Sequence, residues 1–512
     1  MYSICRVRYD IRTMSMLTRF FLFTMAGTLG AQPVGLFTNH SNVGEVEGSV
    51  EFDQAKGTYK VSGSGANIWG NVDAFHFVWK QVSGDIALSA ANAFVGEGKN
   101  PHRKVVLMVR QTLEAGSPYA DAAIHGDGMV SLQYRTQPNQ ATRELRSITN
   151  SPGVVRLERH GDQFNIVVTK PGADPDELPN LTTVVMKDPV YIGIGISSHE
   201  AAVTESSIIS SVSLDITPRT HIQSKLSIYD MATKKTDVIY TAGKVFEAPN
   251  WSPDGAYLMI NTGGDLYRIP PAGGAEPQKM VLSEKVNSNN DHGITKDGRT
   301  IAISGRGQGT GSQVFVANAD GSKARLVASG VPSYFHGFSP DGKWFAYTAE
   351  RAANFDLYRM AVEGGEEERL TSHKALDDGP DYSPNGKWIY FNSERSGQNQ
   401  IWRIPAEGGG ENDARVQRVT DGDLCDWFPH PSPNGKWMVM ISFPKGTRGH
   451  PPNRNVQLRL LPMPGDKLKK VEPAVIVSLF GGQGTINVNS WSPDSKKFAF
   501  VSYERVPDAP VN

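Results

Sequence analysis

The chain has 512 residues, and its 52 Lys and Arg residues against 53 Asp and Glu residues give a formal net charge of -1 at pH 7. This balance excludes the broad basic surface that attracts nucleic acid, and the length predicts two domains rather than one. The 52 Gly and 32 Pro residues, without a long amphipathic helical pattern, favour a turn-rich all-β protein.

The N-terminus has the pattern of an export signal. Arg19 precedes an apolar run at residues 20–26, and small residues then lead to Ala31. We predict a signal peptide over residues 1–31, with Met1 or Met16 as the initiator, and therefore a periplasmic or secreted protein. The run is shorter than the ~20 residues of a membrane span, so no membrane span is expected. Cleavage would leave Cys425 without an intramolecular disulfide partner.

Residues 33–216 contain short strand-like runs separated by Gly, Pro and Asp turns. The runs are 58–61, 74–79, 105–110, 130–134, 154–158, 163–168, 190–195 and 207–213. This spacing predicts a β-sandwich. The order of the runs resembles the concanavalin-like and laminin-G-like jelly rolls, and that resemblance implies carbohydrate recognition. We expect its four scattered histidines to be structural, and we assign residues 217–224 as a linker; the histidines are His76, His102, His125 and His199.

A five-residue phrase recurs six times in the second half of the chain. It occupies residues 251–255, 294–298, 338–342, 382–386, 431–435 and 491–495, and most copies contain Ser-Pro-Asp-Gly or Ser-Pro-Asn-Gly. The Ser or Thr residues are 43, 44, 44, 49 and 60 residues apart, near the ~40–45 residues of a propeller blade. Pro fixes one φ angle and Asp-Gly or Asn-Gly tolerates a positive one, so the phrase closes a hairpin.

The ends of the array predict how it closes. Further runs after each phrase complete four strands per repeat. The last phrase supplies only two strands, whereas residues 225–229 and 236–240 indicate a third and a fourth strand ahead of the first phrase. The predicted fold class is all-β: an N-terminal β-sandwich (jelly roll), then a six-bladed β-propeller over residues 225–512, closed by shared terminal strands. The run at 225–230 and its counterparts resemble the periplasmic TolB-type propeller repeat.

The strand that precedes each phrase is expected to line the central channel. Five residues before the Ser or Thr stand Glu247, Asn290, Tyr334, Asp378, Trp427 and Asn487; three residues before it stand Pro249, His292, His336, Pro380, Pro429 and Asn489. Strand alternation puts both sets on one face, although a one-residue bulge would exchange them. Asp291, Asp381 and His430 lie on the intervening side.

Histidines recur near this register and suggest a metal. We predict that His292, His336, His430 and His450 converge on one divalent ion (Mn, Zn or Ca), since imidazole and carboxylate groups are its usual ligands. The alternative is that they bond only to water and carbonyl groups. His336, His430 and Arg454 are the candidate catalytic residues. The long segment 443–454 supplies His450 and Arg454, and Gln483 is a further candidate ligand.

Two functions remain open. The His-rich repeats resemble the propeller oligogalacturonate lyases, and this implies a carbohydrate ligand and metal-assisted, lyase-like cleavage in which an Arg holds the sugar carboxylate. The TolB resemblance implies a non-catalytic periplasmic binding or scaffold protein for an envelope protein or glycan. The proposed ligand residues are Asn290, Asp291, Tyr334, Asp378, Asp381, Trp427, Gln483, Asn487 and Asn489.

Overall fold

The computed structural model describes residues 34–178, 181–307, 309, 311–469 and 471–509. The predicted signal peptide lies outside these residues. Within them, no helix has the length and apolar character needed to cross a membrane.

Residues 34–217 form a two-sheet unit. Its strands are β1 (Asn39–Val43), β2 (Gly48–Asp53), β3 (Thr58–Gly65), β4 (Ile68–Trp69), β5 (Val72–Asp73), β6 (Phe75–Val82), β7 (Asp85–Phe94), β8 (Lys104–Arg110), β9 (Tyr119–His125), β10 (Val130–Arg135), β11 (Arg143–Arg146), β12 (Val154–His160), β13 (Gln163–Thr169), β14 (Asp176–Glu177), β15 (Thr182–Thr183), β16 (Val190–Ser197) and β17 (Glu200–Thr217).

The two sheets share one apolar core. One sheet has the order β1-β6-β16-β8-β9-β10-β11 and the other β14-β13-β12-β7-β17-β3-β2, with β15 beside β13. Leu107 and Ile194 from the first sheet are buried in the same cluster as Val61 and Leu157 from the second. Alternate side chains of each strand therefore face this core. The concanavalin-like jelly-roll class of this unit stays a prediction.

The rest of the described chain is a six-bladed propeller. Its strands are β18 (Thr220–Asp230), β19 (Thr236–Ala242), β20 (Glu247–Trp251), β21 (Leu258–Thr262), β22 (Asp265–Ile269), β23 (Gln278–Lys279), β24 (Asn287–Ile294), β25 (Thr300–Arg306), β26 (Gln313–Asn318), β27 (Arg325–Ala328), β28 (Ser333–Phe338), β29 (Trp344–Arg351), β30 (Asn354–Ala361), β31 (Glu368–Arg369), β32 (Asp377–Tyr382), β33 (Trp388–Ser393), β34 (Gln400–Pro405), β35 (Gln417–Arg418), β36 (Cys425–Pro431), β37 (Trp437–Phe443), β38 (Arg454–Pro462), β39 (Ala474–Gly481) and β40 (Lys497–Pro507), with one 3-10 turn at Glu411–Asp413.

Shared terminal strands close the ring, as predicted. Five blades are consecutive four-stranded sheets from β20 to β39, and the sixth has the order β19-β18-β40. β18 pairs with β40 from Thr220 opposite Pro507 to Asp230 opposite Lys497. Because the two ends of the array pair with each other, neither leaves an open sheet edge between blades.

The predicted linker at residues 217–224 is wrong. β17 ends at Thr217 and β18 begins at Thr220, so only residues 218 and 219 separate the two strands. The polar side chains suggested a linker, but strand pairing with β40 uses backbone N–H and C=O groups, which the side chains do not reveal.

The repeated phrase forms the same turn in every blade. In the fourth copy the Ser383 hydroxyl donates to Asn385 Oδ1 (2.8 Å) and accepts from the Trp388 backbone N–H (2.9 Å). Gly386 has a φ of 72°, in the left-handed region that glycine adopts without a Cβ penalty. The phrase therefore joins the innermost strand of each blade to the next strand and fixes where the inner strand ends.

Replacement of Ser383 by Ala should destabilise the propeller. Ser383 is 2% exposed, and its replacement leaves the partly buried Trp388 N–H without its side-chain acceptor, at a cost of about 1 kcal/mol. The shift of the thermal unfolding midpoint measures this cost. Ser396→Ala, in an exposed loop, is the control, and equal midpoints for the two variants would contradict this account.

Candidate functional site

The inner strands of five blades carry one or two extra residues. Asp378 lies opposite Asn392 but Asp381 lies opposite Tyr390, so three steps on β32 match two on β33. β20, β28 and β36 likewise carry one extra residue, and β24 carries two. A one-residue bulge reverses the facing of all residues beyond it. The two predicted sets consequently do not share one channel face, and residues from the intervening side reach the channel.

A cavity of about 340 Å³ occupies the end of the channel away from the repeated phrases. We call it the Asp–His chamber. It brings together many of the predicted site residues, and its lining is Asn289, Asn290, Asp291, Tyr334, His336, Thr348, Phe355, Leu376, Asp378, Phe428, His450, Gln483 and Asn487. The volume lies within the ~300–1,000 Å³ range of small-molecule sites.

Asp378 stands between two histidines in this chamber. Its Oδ1 is 3.2 Å from His336 Nε2, and its Oδ2 is 3.6 Å from His450 Nε2. Burial by itself would raise the pKa of Asp378, but the hydrogen bond and charge of His336, with the charge of His450, lower that pKa to about 2. Burial by itself would lower the pKa of His336, but the neighbouring Asp378 and Asp291 raise it above the usual value. The two opposite shifts and the 3.2 Å separation favour an ion pair between Asp378 and His336 inside the channel.

The pKa of Asp291 is shifted in the opposite direction to that of Asp378. Burial raises its pKa to about 7; the negative charges of Asp378 and Glu247 act in the same direction, and His336 acts against them. One chamber thus holds a carboxylate that stays ionised and a carboxyl group that can gain or lose a proton near neutral pH. Two carboxyl groups whose pKa values differ in this way can act as the acid and the base of one site.

Amide and aromatic side chains complete the lining. Asn487 Oδ1 accepts from the Gly484 N–H (2.7 Å), and Gln483 Oε1 faces His450 Nδ1. Phe428 stacks on the His336 ring with centroids 5.8 Å apart. Phe355 was missed in the sequence because it is the second residue of β30. This strand is the third of its blade, and nothing in its sequence indicates contact with the channel.

The other end of the channel is a separate cavity of about 320 Å³, the phrase-side chamber. Three predicted site residues line it, namely His292, Asp381 and Asn489, together with His336, which lines both chambers. The two ring nitrogens of His292 have no hydrogen-bond partner among the described residues, and burial lowers the pKa of His292 to about 3. His292 is therefore neutral at physiological pH.

Three predicted site residues line neither chamber. Trp427 is buried between blades, and its ring lies 4.6 Å from the His450 ring, measured between centroids. His430 Nδ1 is 3.1 Å from Asp381 Oδ2, and its Nε2 is 2.7 Å from the Ile486 carbonyl oxygen. Arg454 pairs with Glu177 of the two-sheet unit at 2.8 Å. Arg454 is thus engaged outside the chamber, and not over a substrate carboxylate as the sequence predicted.

The predicted metal ligands do not form one set. His292 lines the phrase-side chamber, His336 and His450 line the Asp–His chamber, and both nitrogens of His430 already face protein oxygens. Among the described residues, no group of three or more His, Cys, Asp or Glu side chains is arranged to hold an ion. The donor set therefore does not fit a single bound cation, and we derive no chemical step through one.

The histidines of the two-sheet unit are less scattered than predicted. The His102 ring lies 6.1 Å from the His125 ring and 5.6 Å from the His199 ring, measured between centroids. Burial, followed by the charge of Lys104, lowers the pKa of His125 to about 4. Residues distant in sequence meet here because β8 and β9 pair Lys104 with His125.

Comparisons with known proteins identify the propeller. A TolB beta propeller domain (PD40) is recognised over residues 328–453. An uncharacterized protein of Agrobacterium fabrum is 43% identical over 286 residues, which are 56% of this chain and 94% of that protein. A solved TolB-type structure from Agrobacterium tumefaciens is also 43% identical, covers 56% of this chain and 99% of its own, and has a TM-score of 0.52. The chain belongs to the TolB-like β-propeller family.

A much more distant match is an oligogalacturonate lyase in complex with manganese, which is 10% identical, covers 51% of this chain and 74% of its own, and has a TM-score of 0.33. The distant similarity to such lyases that the sequence predicted is thus found, and at this level it implies no shared activity.

Replacement of Asp291 by Asn should change how stability depends on pH. The folded-state pKa of about 7 lies above the usual 3.8, so between these values the folded protein holds a proton that the unfolded chain releases. Wild-type stability therefore falls as pH rises through this window, by at most on the order of 4 kcal/mol. Asp291→Asn should have a higher unfolding midpoint than the wild type at about pH 7 and a smaller advantage at about pH 4. An advantage that did not change with pH would contradict this assignment.

Asp378→Asn is the matched variant with the opposite sign. The pKa of Asp378 is lowered to about 2, so its contribution to stability is present above the usual carboxyl pKa and is lost as pH falls towards 2. The variant should be less stable than the wild type at neutral pH, and the deficit should shrink on acidification. Thermal scans across the same pH series measure both variants.

Proposed function

We propose that this TolB-like protein is exported and carbohydrate-directed, and that the Asp–His chamber binds a sugar unit of an oligosaccharide. The observation that carries the proposal is the meeting, in one cavity, of two carboxyl groups of opposite pKa shift with amide and aromatic side chains. Export rests on the predicted signal at residues 1–31.

The lining suits a sugar ring. The rings of Tyr334, Phe355 and Phe428 supply apolar surface, against which the C–H face of a sugar packs. Asn290, Asn487 and Gln483 offer amide donors and acceptors for hydroxyl groups.

The titrating groups suit cleavage by proton transfer. Asp291, with a pKa of about 7, can give a proton to a leaving oxygen or take one from a sugar carbon near neutral pH. Ionised Asp378, held by His336 at 3.2 Å, can stabilise positive charge that develops on a sugar ring. Hydrolysis can use both groups, whereas β-elimination develops negative charge beside the sugar carboxylate and would use only Asp291, as the base. The products distinguish the two reactions.

A first test uses the purified full-length protein with a panel of neutral and uronate-containing oligosaccharides. We expect calorimetry to detect binding of at least one of them and product analysis to detect cleavage; unsaturated ends would indicate elimination, and reducing ends alone would indicate hydrolysis. Asp291→Asn should retain binding but lose about 10²–10⁴-fold in rate, the usual contribution of a proton-transfer group.

Asp320→Asn, in an exposed turn, is the control for that variant and should keep wild-type activity. Binding without cleavage would reduce the proposal to a glycan-binding protein. Failure of the wild type to bind any oligosaccharide would overturn it.

Chelation tests the metal that the sequence predicted. Because the described donors do not form a ligand set, we expect oligosaccharide binding to survive dialysis against EDTA. If dialysis abolishes binding and added Mn, Zn or Ca restores it, this expectation is wrong and the metal-assisted mechanism is supported.

The second candidate function is a non-catalytic TolB-like scaffold for an envelope protein. The phrase-side chamber favours it, since one Pro or Lys residue from each repeat lines it: Pro253, Lys296, Pro340, Pro384, Pro433 and Pro493. Within the described residues, Trp251 and His292 add buried nitrogens without protein partners, which a bound chain can satisfy. In this case Asp291→Asn would leave the biological role intact, whereas bulky substitutions at Pro340 or Pro384 would abolish it.

A further inference from the structure

One loop of the propeller is longer than its counterparts. Residues 444–453 join β37 to β38 with ten residues, whereas the corresponding connections have two residues after β21 and β29 and six after β25 and β33. Long loops in compact repeats usually have a specific role. We call residues 444–453 the long loop.

The outer side of the long loop contacts the two-sheet unit. Arg448 Nη2 donates to Asp176 Oδ1 at 2.8 Å, and Asn453 Nδ2 donates to Gln163 Oε1 at 3.2 Å. Arg454, the residue after the loop, donates to the Leu178 carbonyl oxygen at 3.0 Å and pairs with Glu177 at 2.8 Å. The receiving residues lie on or beside β13 and β14, at one edge of the eight-stranded sheet.

The receiving carboxylate is itself fixed. Asp176 Oδ2 accepts from the backbone N–H groups of Ile148 (3.0 Å) and Thr149 (3.3 Å), and from the Ser147 hydroxyl. The Asp176 side chain is 7% exposed and that of Arg448 is 31% exposed. A partly buried, charge-assisted hydrogen bond to an oriented carboxylate is stronger than an exposed ion pair. Asp176 can thus hold the long loop in one position.

The inner side of the long loop reaches the Asp–His chamber. His450 Nδ1 faces Gln483 Oε1, and its ring lies edge-on to Phe428 with centroids 5.0 Å apart. The Pro451 carbonyl oxygen accepts from the Gln483 N–H at 3.2 Å. Gly482 has a φ of 111°, and a Cβ there would lie 2.1 Å from the Pro451 oxygen. Only glycine at position 482 therefore allows the long loop to pack this closely.

We propose that the two-sheet unit acts on the Asp–His chamber through the long loop, by holding His450 beside Asp378 with the Arg448–Asp176 and Arg454–Glu177 pairs. Arg448 and Asp176 are then positioning residues, since neither lines the chamber. The proposed position of His450 does not depend on any ligand. Its expected effect on ligand affinity rests on the proposed function.

The first test measures the position of His450 without a ligand. In Arg448→Gln and in Asp176→Asn, we expect diethylpyrocarbonate to modify His450 several-fold faster, as measured by mass spectrometry of the peptide that contains it. Hydrogen exchange of residues 444–453 should rise in parallel. Arg448→Lys, which keeps the charge, should recover part of the wild-type protection.

A double variant separates this coupling from general destabilisation. Because Arg448 and Asp176 act through one contact, the effect of Arg448→Gln should vanish in the Asp176→Asn background. Glu51→Gln removes an exposed ion pair with Lys60 elsewhere in the two-sheet unit, and it should leave His450 unchanged. Wild-type modification rates in both single variants would overturn the proposal, as would additive effects in the double variant.

The second test uses whichever oligosaccharide binds the wild type. Arg448→Gln should weaken its affinity by several-fold while Glu51→Gln does not, and an unchanged affinity despite faster His450 modification would overturn the link to ligand binding. If no oligosaccharide binds the wild type, the proposed function fails, but the His450 measurements still decide whether the two-sheet unit holds this residue.

Discussion

The pairing of β18 with β40 is the constraint on which the remaining geometry depends. Eleven backbone partners, from Thr220 opposite Pro507 to Asp230 opposite Lys497, join the start of the propeller to its end. The channel is lined by inner strands of separate blades, so its side chains meet only when the ring is closed. The same strand follows β17 after two residues, which ties the two-sheet unit to the closing blade. Strand pairing thus fixes both the site and the neighbour that contacts it.

The propeller could be predicted from the sequence because the hydrogen bonds that form each repeated turn join residues only a few positions apart. Ser383 and Gly386 specify their turn through neighbours within a few residues, so each copy could be recognised alone and the spacing gave the blades. It also predicted Tyr334, Asp378 and Asn487 on the channel face, and these residues line the Asp–His chamber. Tyr334 and Asp378 precede the register shifts of their strands, where simple alternation from the strand start still holds.

The misplaced residues depended on distant partners. Trp427 stands before the register shift of β36, as Asp378 does in β32. Its ring nevertheless packs against Phe428 and His450, which comes from the long loop. Arg454 was assigned to a substrate carboxylate because its loop is long, but the carboxylate it meets is Glu177, 277 residues earlier in the chain. One amino-acid sequence indicates that a buried arginine needs an acidic or carbonyl partner, but it does not identify which residue becomes that partner in the folded protein.

Charge divides the channel into two unlike ends, with His336 between them. On one side His336 belongs to an ion pair with Asp378, beside the titratable Asp291. On the other side lie neutral His292 and a ring of mostly proline residues. A polar ligand that enters at the phrases therefore meets mostly proline side chains first, with Lys296 and Asp381 as charged groups of that chamber, and part of its hydration is lost against apolar surface. Entry at the Asp–His chamber brings it directly to hydrogen-bonding groups, and the long loop that stands there is the part of the propeller held by the two-sheet unit. The structure thus places its titratable groups and its inter-unit contacts at the same mouth.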